Sequence, residues 1–269
     1  PIDLFEQYGS DAVRYWAASA RPGVDTAFSE DQMKVGRKLA TKLLNATKFV
    51  LGAGDVSAEV VPTEPLDVAM LQRLSVVIND ATSAFESFDY ARALERTESF
   101  FWWFCDDYLE LVKMRAYGIT DISASARAAL QRALSVMQRL YAPHIPFATE
   151  EVWSWWQQDS IHLAQWPTIT EITGDTKHVD ASEMMLDSAC NVIGVIRRTK
   201  TEAKLSQRAE VEYTSVSATD AQIALLKECI GDLQNAGVVP AIEFVAHVAG
   251  DSVAHIATTV RLAPVVDAK

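Results

Sequence analysis

Length, composition and charge place the chain among globular proteins and exclude several functional classes. Its 269 residues allow one large domain or two small ones, and an apolar content of 49% is enough for a buried core. The formal net charge of −12 argues against a general nucleic-acid binder, whose surface is usually basic, but it leaves room for a local basic face. No apolar run approaches the length of a membrane span, so we expect no membrane partner.

The three cysteines, Cys105, Cys190 and Cys229, are odd in number and lack metal-ligand spacing. This usage is typical of a reducing compartment rather than of a disulfide framework, and we expect inert buried thiols. Nothing at the N-terminus resembles a signal peptide, and the chain begins with Pro1 rather than Met. We therefore interpret it as a cytoplasmic fragment of a longer protein.

Two short helices are predicted at the start of the chain. Asp3 would cap the first, which Gly9 ends, and Ser10 would cap the second. The triplet Arg21-Pro22-Gly23 breaks the second helix. Residues 1–28 are therefore expected to be helical and to lack a core of their own.

A sharply two-faced helix is predicted from Glu30 to Gly52, with capping-box spacing between Ser29 and Gln32. One face collects leucine, alanine and valine residues, whereas no acidic residue interrupts the opposite face between positions 34 and 48. The residues of this opposite face are Lys34, Arg37, Lys38, Lys42, Asn45, Lys48 and Phe49. Such a face can contact phosphates, and Phe49 among the lysines can stack on a base.

Four further helices are predicted before residue 160, after a linker over residues 53–65. The second of them is long and aromatic, with Asp89 as N-cap and Gly118 as the left-handed residue after its end. Short loops and the absence of a strand pattern predict an antiparallel helical bundle over residues 29–160. The expected helices run from Leu66 to Phe85, from Asp89 to Tyr117, from Ser123 to Tyr141 and from Phe147 to Gln157.

The pattern changes after Ser160, and residues 161–269 predict a small α/β subdomain. The two last strands flank Gly250-Asp251, which indicates a hairpin. The expected elements are a helix from Ser182 to Lys204, a strand from Val211 to Val216, a helix from Asp220 to Gln234 that Gly237 closes, and strands over Val239–Val248 and Val253–Leu262. The fold class is thus mainly α, a helical bundle followed by a small α/β part.

Acidic and imidazole side chains could form a metal or acid–base site, but simpler interpretations are favoured. Asp106, Asp107 and Glu110 fit an ion-paired helix surface, because adjacent helical residues point about 100° apart. His247 and His255 could meet across the hairpin, yet two imidazoles without a third ligand seldom hold zinc. We predict no catalytic residue and no metal ligand in this chain.

Two other groups of residues have both structural and RNA-binding interpretations. Arg197, Lys200 and Lys204 share a helical face, which is either a solvated surface or a phosphate-binding one. The tryptophans at 102, 103, 153, 155 and 156 are expected mainly in the core, although exposed indoles can stack on bases.

Four stretches in chain order resemble the valyl-tRNA synthetase family of class I aminoacyl-tRNA synthetases. Phe104-Cys105-Asp106 followed by Tyr108 to Lys113 is similar to the family's bundle helix. The other three stretches are Tyr8 to Arg14, Arg37 to Phe49 and Pro143 to Trp153. The last is shared with the isoleucine, leucine and methionine enzymes. The matches cover roughly the first two thirds of the chain.

The resemblance implies the C-terminal, anticodon-binding part of a valine–tRNA ligase, with residues 1–28 as the tail of its catalytic half. The partners would be tRNA and the upstream catalytic domain of the same chain, in a monomer. ATP and Mg would act in the parent enzyme, so the fragment alone is expected to be non-catalytic and to hold no cofactor. The resemblance assigns tRNA contact to the face from Lys34 to Phe49 and to Arg197, Lys200 and Lys204.

Two alternatives remain open from the sequence. The same region of isoleucyl-tRNA synthetase shares the helix that begins at Glu30 and the late bundle motif. A helical protein-interaction module without RNA contact is favoured by the acidic charge and opposed by the acid-free face from Lys34 to Lys48.

Overall fold

The computed structural model describes residues 2–173, 183–246 and 256–264, and most of them are helical. Its first elements are α1 (Ile2–Tyr8), α2 (Ser10–Ala18), α3 (Glu30–Gly52), α4 (Pro65–Glu86), α5 (Tyr90–Trp103), α6 (Leu109–Ala116), α7 (Asp121–Tyr141) and α8 (Pro146–Trp153). They are followed by α9 (Ile169–Thr173), α10 (Glu183–Glu202), β1 (Val211–Ala218), α11 (Asp220–Glu228), α12 (Ile230–Gly237), β2 (Ile242–Ala246) and β3 (Ala257–Leu262). The predicted fold class is confirmed.

The described residues form two compact units, each built from separate stretches of chain. Unit 1 contains residues 2–61, 71–105 and 127–173, and unit 2 contains residues 62–70, 106–126, 183–246 and 256–264. These units differ from the parts expected at 1–28, 29–160 and 161–269, because stretches of the predicted bundle cluster with the C-terminal part. As a division by function, the three expected parts stay a prediction.

In unit 1 the N-terminal helices pack against the start of α3. Tyr8 and Ala12 are buried together with Met33, which explains why residues 1–28 need no core of their own. A Cβ atom added to Gly36 would lie 2.6 Å from the Cβ of Tyr15. Glycine at this position therefore allows α2 to approach α3 closely.

Two helix starts in unit 1 use caps that differ from the sequence expectation. Gly9, not Ser10, occupies the N-cap position of α2, because its φ of 89° suits the turn between α1 and α2. Asp11 caps a different helix, since its carboxylate accepts hydrogen bonds from the amides of Phe147 (3.2 Å) and Ala148 (2.6 Å) at the start of α8. Burial raises the pKa of Asp11, and these two amides oppose the shift.

The predicted single helix from Asp89 to Tyr117 contains a π-helical turn. Asp89 begins it as expected, but Phe104–Tyr108 form the π turn that separates α5 from α6. Such a turn inserts one extra residue into the hydrogen-bond ladder, and apolar periodicity does not reveal it. Gly118 is not the left-handed residue that we expected. A Cβ atom there would lie 2.4 Å from Oγ of Ser123, so its role is close packing.

A buried charge cluster, the Arg115 cluster, organises unit 2. Arg115 donates to both carboxylate oxygens of Asp67 at 2.8 Å, and its Nε donates to Asp232 at 2.9 and 3.0 Å. Asp67 also accepts the hydroxyls of Tyr108 and Ser125, each at 2.7 Å. Burial alone would lower the pKa of Arg115, but the hydrogen bonds and charges of Asp67 and then Asp232 outweigh it and raise this pKa. Each charged group of the cluster therefore has hydrogen-bond partners within unit 2.

The same cluster holds the start of α4. The backbone amides of Thr63 and Glu64 donate to Oγ of Ser125 at 3.0 Å, and the Ser125 hydroxyl donates onward to Asp67. Helix starts leave such amides without an intrahelical partner. The beginnings of α4 and α7 are thus joined to α6 and α12 through one set of polar contacts.

Asp67→Asn should strongly destabilise unit 2. An amide in place of the carboxylate leaves Arg115 paired with Asp232 but points an NH2 group at a buried donor, and a lost buried hydrogen bond of this kind costs about 1–3 kcal/mol. Urea unfolding followed by circular dichroism measures the change. The matched control, Glu228→Gln on an exposed site, should change stability by less than about 0.5 kcal/mol. Equal effects of the two substitutions would contradict the role of the cluster.

The three strands form one sheet in unit 2, in the order β2-β1-β3. β2 runs parallel to β1, with Thr214 opposite Ile242, and β3 runs antiparallel, with Val216 opposite Thr258. The predicted hairpin of the last two strands is wrong, because β1 lies between them. The local alternation and the Gly-Asp pair could not show that an earlier strand would insert. His247 and His255 lie outside the described residues.

The predicted helix from Asp220 to Gln234 is divided in two at Cys229. A capping box between Thr219 and Gln222 begins α11, and the left-handed residue after α12 is Val238, with φ of 52°, rather than Gly237.

All three cysteines are free thiols, and burial raises the pKa of Cys229 to about 12. This thiol is therefore protonated at neutral pH and chemically inert.

His144 is a buried imidazole just after α7 in unit 1. Its ring lies 5.6 Å from that of Phe85, and its Nε2 has no hydrogen-bond partner within the described part of the chain. Burial, and then the charge of Arg14, lowers the pKa of His144 to about 4. The folded protein therefore keeps this imidazole neutral in mildly acidic solution.

Stability should fall as the pH is lowered from about 6.5 to about 4. In this window the unfolded chain binds a proton at His144 that the folded chain does not, so the free energy of unfolding decreases by at most about 3.5 kcal/mol. Urea unfolding at several pH values, for the natural chain and for His144→Gln, measures it. The variant, whose side chain does not titrate, should lose this part of the pH dependence. Identical pH profiles would disprove the assignment.

Candidate nucleic-acid interface

The rotation of α3 about its axis is fixed by its apolar face. The Ser29 hydroxyl accepts the amide of Gln32 at 3.2 Å, so the helix begins where the capping pattern predicted. Leu39, Leu43 and Val50 are fully buried. Because these residues face the core of unit 1, the lysine-rich face must point to solvent.

The structure places every predicted residue of this face at or near the surface. Five are exposed and two are half-buried. The exposed residues are Lys34, Arg37, Lys38, Asn45 and Lys48, and the half-buried ones are Lys42 and Phe49. We call these seven residues the α3 face.

The positive charge of the α3 face is not evenly available. Lys34 forms an ion pair with Asp31 at 2.9 Å, whose hydrogen bond and charge raise the pKa of Lys34. Arg37 donates to the carbonyl of Gln7 at 3.1 Å, which holds it against α1. Asp31 therefore neutralises part of the positive charge near the start of the helix, and Arg37 has a fixed position there.

Two tryptophans lie beside lysines of the α3 face. The Nζ of Lys42 is 5.7 Å from the ring centroid of Trp102, and the Nζ of Lys48 is 5.8 Å from that of Trp155. Both distances suit a cation–π contact. Each indole is half-buried and donates to a glutamate, Trp102 to Glu98 and Trp155 to Glu151, both at 3.0 Å. The sequence assigned the tryptophans mainly to the core, because no linear pattern joins them to α3.

The second basic group, in unit 2, does not form one exposed face. Lys200 is buried, and its ammonium donates to the carbonyls of Gln207 (3.1 Å) and Gly237 (2.7 Å). Contrary to our expectation, this ammonium is therefore not exposed for contact with RNA. Burial lowers the pKa of Lys200. Arg197 is half-buried and donates to the carbonyl of Asp106, whereas Lys204 is exposed. Helical spacing alone could not show that the sheet and α12 cover this side of α10.

The remaining acidic candidates behave as surface or structural groups. Glu110 pairs with Lys113 at 2.7 Å, which confirms the expected ion pair on α6. Within residues 2–173, 183–246 and 256–264, no three His, Cys, Asp or Glu side chains come together as a possible metal site. In the same ranges no helix is both long and apolar enough to cross a membrane.

The sequence pattern of the family described as the anticodon-binding domain of tRNA ligase matches residues 67–215, more than half of the chain. The chain belongs to this family. The match begins in the first turn of α4 and ends within β1. It therefore includes the buried Lys200 and all members of the Arg115 cluster except Asp232. The helix that carries the α3 face precedes the matched range.

Curated relatives cover nearly the whole chain. A valine–tRNA ligase of Thermobifida fusca is 52% identical over 91% of this chain and 28% of that protein. Those of Salinispora arenicola and Bifidobacterium longum subsp. infantis are 50% and 41% identical, over 89% and 98% of this chain and 30% and 31% of theirs. The chain therefore spans about three tenths of the length of the relatives that it matches.

A solved structure is also similar in fold. It is the agnB2 LeuRS of Agrobacterium radiobacter K84 in a ternary complex with tRNA and LeuAMS, at 18% identity and a TM-score of 0.47. The match covers 64% of this chain and 22% of that one.

Lys200→Ala should destabilise unit 2 of this anticodon-binding family member without affecting RNA binding. Removal of the ammonium leaves two buried carbonyls without their donor, and such a loss costs about 1–3 kcal/mol. Lys204→Ala, on an exposed neighbour, is the control and should stay within about 0.5 kcal/mol of the natural chain. Thermal unfolding beside filter binding with tRNA separates the two effects. Weaker tRNA binding by a fully stable Lys200→Ala protein would contradict the structural role.

Proposed function

We propose that this chain is the tRNA-binding part of a valine–tRNA ligase and that its α3 face holds the anticodon stem and loop. The observation that carries the proposal is a lysine-rich, solvent-facing helix side on a chain of net charge −12. An acidic body with one basic face attracts a phosphate backbone only at that face. The relatives reported above are valine–tRNA ligases, which supports valine as the amino acid.

The chemistry would take place outside this chain. In this proposal ATP and Mg act in the catalytic part of the longer polypeptide, and the present chain contributes by positioning. Binding energy gained at the anticodon orients the acceptor end of the tRNA toward a distant active site, which converts binding into rate. In this proposal the whole enzyme is monomeric and cytoplasmic, and its catalytic part precedes the present chain in the polypeptide.

Relatives with 40% to 52% identity are valine–tRNA ligases, which disfavours the alternative of isoleucyl-tRNA synthetase. The alternative of an interaction module without RNA contact predicts no tRNA affinity. Filter binding with valine, isoleucine and an unrelated tRNA, at two salt concentrations, distinguishes the three functions. The valine tRNA should bind most tightly, and equal, salt-insensitive retention of all three would contradict the proposal.

Replacing Lys38 and Lys42 by alanine should weaken tRNA binding and reduce its salt dependence. Each phosphate contact releases counterions, with a log–log slope of about −0.9 in duplex and −0.7 in single strands, so the slope should flatten by roughly one to two. The measurement is filter binding across a salt series. Lys113→Ala plus Lys227→Ala in unit 2 makes the same charge change and should leave the slope nearly unchanged. If the two pairs behave alike, the α3 face does not contact RNA.

Phe49→Ala tests stacking separately from charge. If the ring stacks on a loop base, tRNA binding should weaken by about 1–3 kcal/mol while the salt slope stays constant. Phe147→Ala is the control, because Phe147 is 64% exposed on another helix. Circular dichroism melts accompany the binding curves. A lowered melting temperature with unchanged affinity would show that Phe49 fills the junction with a neighbouring helix instead.

A further inference from the structure

Unit 1 contains a cavity of about 770 Å³ between α2, residues 19–29 and α5. Trp16, Leu94 and Trp102 line it with apolar surface. The indole of Trp16 is fixed, since its Nε1 donates to the carbonyl of Ala27 at 3.2 Å and its ring meets Phe28 edge-on at 5.8 Å. The cavity therefore has formed walls rather than loose side chains.

The charge of this cavity is opposite to that of the α3 face. Asp25, Glu95 and Glu98 line it, against a single cation, Arg21. Arg21 is itself held by Asp89 at 3.3 Å and lies 3.9 Å from Glu95. The lining consequently has a net negative charge, and Lys42 of the α3 face lies on the other side of Trp102, 5.7 Å from its ring centroid.

Glu98 is the carboxylate that the cavity presents between two aromatic rings. Its Oε2 accepts the hydroxyl of Tyr15 at 2.7 Å, and its Oε1 accepts the indole N–H of Trp102 at 3.0 Å. Both donors are uncharged, so they orient the carboxylate without neutralising it. An ammonium or guanidinium group entering the cavity would find an oriented anion, with apolar surface for its methylene stem.

Exposed apolar side chains surround the cavity. Val24, in the lining, is 65% exposed, and Phe28, whose ring contacts that of Trp16, is 58% exposed. Exposed apolar side chains beside a formed cavity are typical of a surface that a partner covers.

We propose that this cavity, with its apolar rim, is the docking site for a lysine- or arginine-bearing segment of the same polypeptide, from the part outside these 269 residues. The inference rests on the proposed function, since the curated relatives are more than three times as long as this chain. Acidic lining selects a basic occupant, and the apolar rim requires a partner that buries hydrophobic surface. The phosphate backbone of RNA does not meet the first requirement.

The test uses the full-length polypeptide and a reversal of charge at the rim. Asp25→Lys plus Glu95→Lys should release the basic segment, and amide hydrogen exchange of residues 19–29 and 91–102 should accelerate about tenfold. Asp55→Lys plus Glu59→Lys makes the same charge change at exposed positions of the linker and should leave this exchange unchanged. If RNA occupied the cavity instead, the variant Asp25→Lys plus Glu95→Lys would bind tRNA more tightly than the control variant.

The occupant is identified by crosslinking. With a photoreactive benzoylphenylalanine in place of Val24, illumination without tRNA should link this position to a peptide from outside residues 1–269 that contains lysine or arginine. A crosslink to RNA, to a small molecule or to a second copy would overturn the proposal, as would no crosslink together with unchanged exchange. Binding of valine tRNA by the natural protein, measured in parallel, reports on the proposed function independently.

Discussion

A guanidinium that is almost completely withdrawn from water is the constraint on which unit 2 depends. Arg115 would be too costly to bury alone, so Asp67 and Asp232 must reach it from α4 and α12, which are far apart in the sequence. The same need for partners recurs wherever the chain buries polarity. The Lys200 ammonium is held by two carbonyls, and the start of α8 by the Asp11 carboxylate. Packing supplies the bulk of stability, but these contacts specify which helices meet.

Local patterns in the sequence predicted most of the fold. The ends of α3, the cap at Asp89 and the strand that begins at Val211 follow from caps and periodicity, which act over a few residues. Some errors are local, such as Gly9 in place of Ser10 as the N-cap of α2, but those that change the fold concern interactions between distant residues. The strand order depends on β1 inserting between β2 and β3, and the π turn at Phe104–Tyr108 depends on how its side chains pack.

The candidate site, like the fold, could be predicted only in part from the sequence. The outward direction of Lys38 and Lys48 could be predicted, because the leucine face of α3 has one way to be buried. The neighbouring indoles of Trp102 and Trp155 could not, since they come from other parts of the chain. Lys200 was misplaced for a related reason: a helix of the α/β part has neighbours on more than one side. The spacing of basic residues shows which of them share a helix face, but not whether that face is exposed to solvent.

The capping of α8 by Asp11 has a consequence for how this protein could be divided. α8 takes its N-terminal hydrogen bonds from a residue 136 positions earlier, so the first 28 residues are part of the scaffold that presents the bundle's last helix. Trp155, which lies next to Lys48, follows directly after α8. An excised piece that began at α3 would therefore lack the partner of the first amides of α8, close to the α3 face. The smallest transplantable piece includes α2.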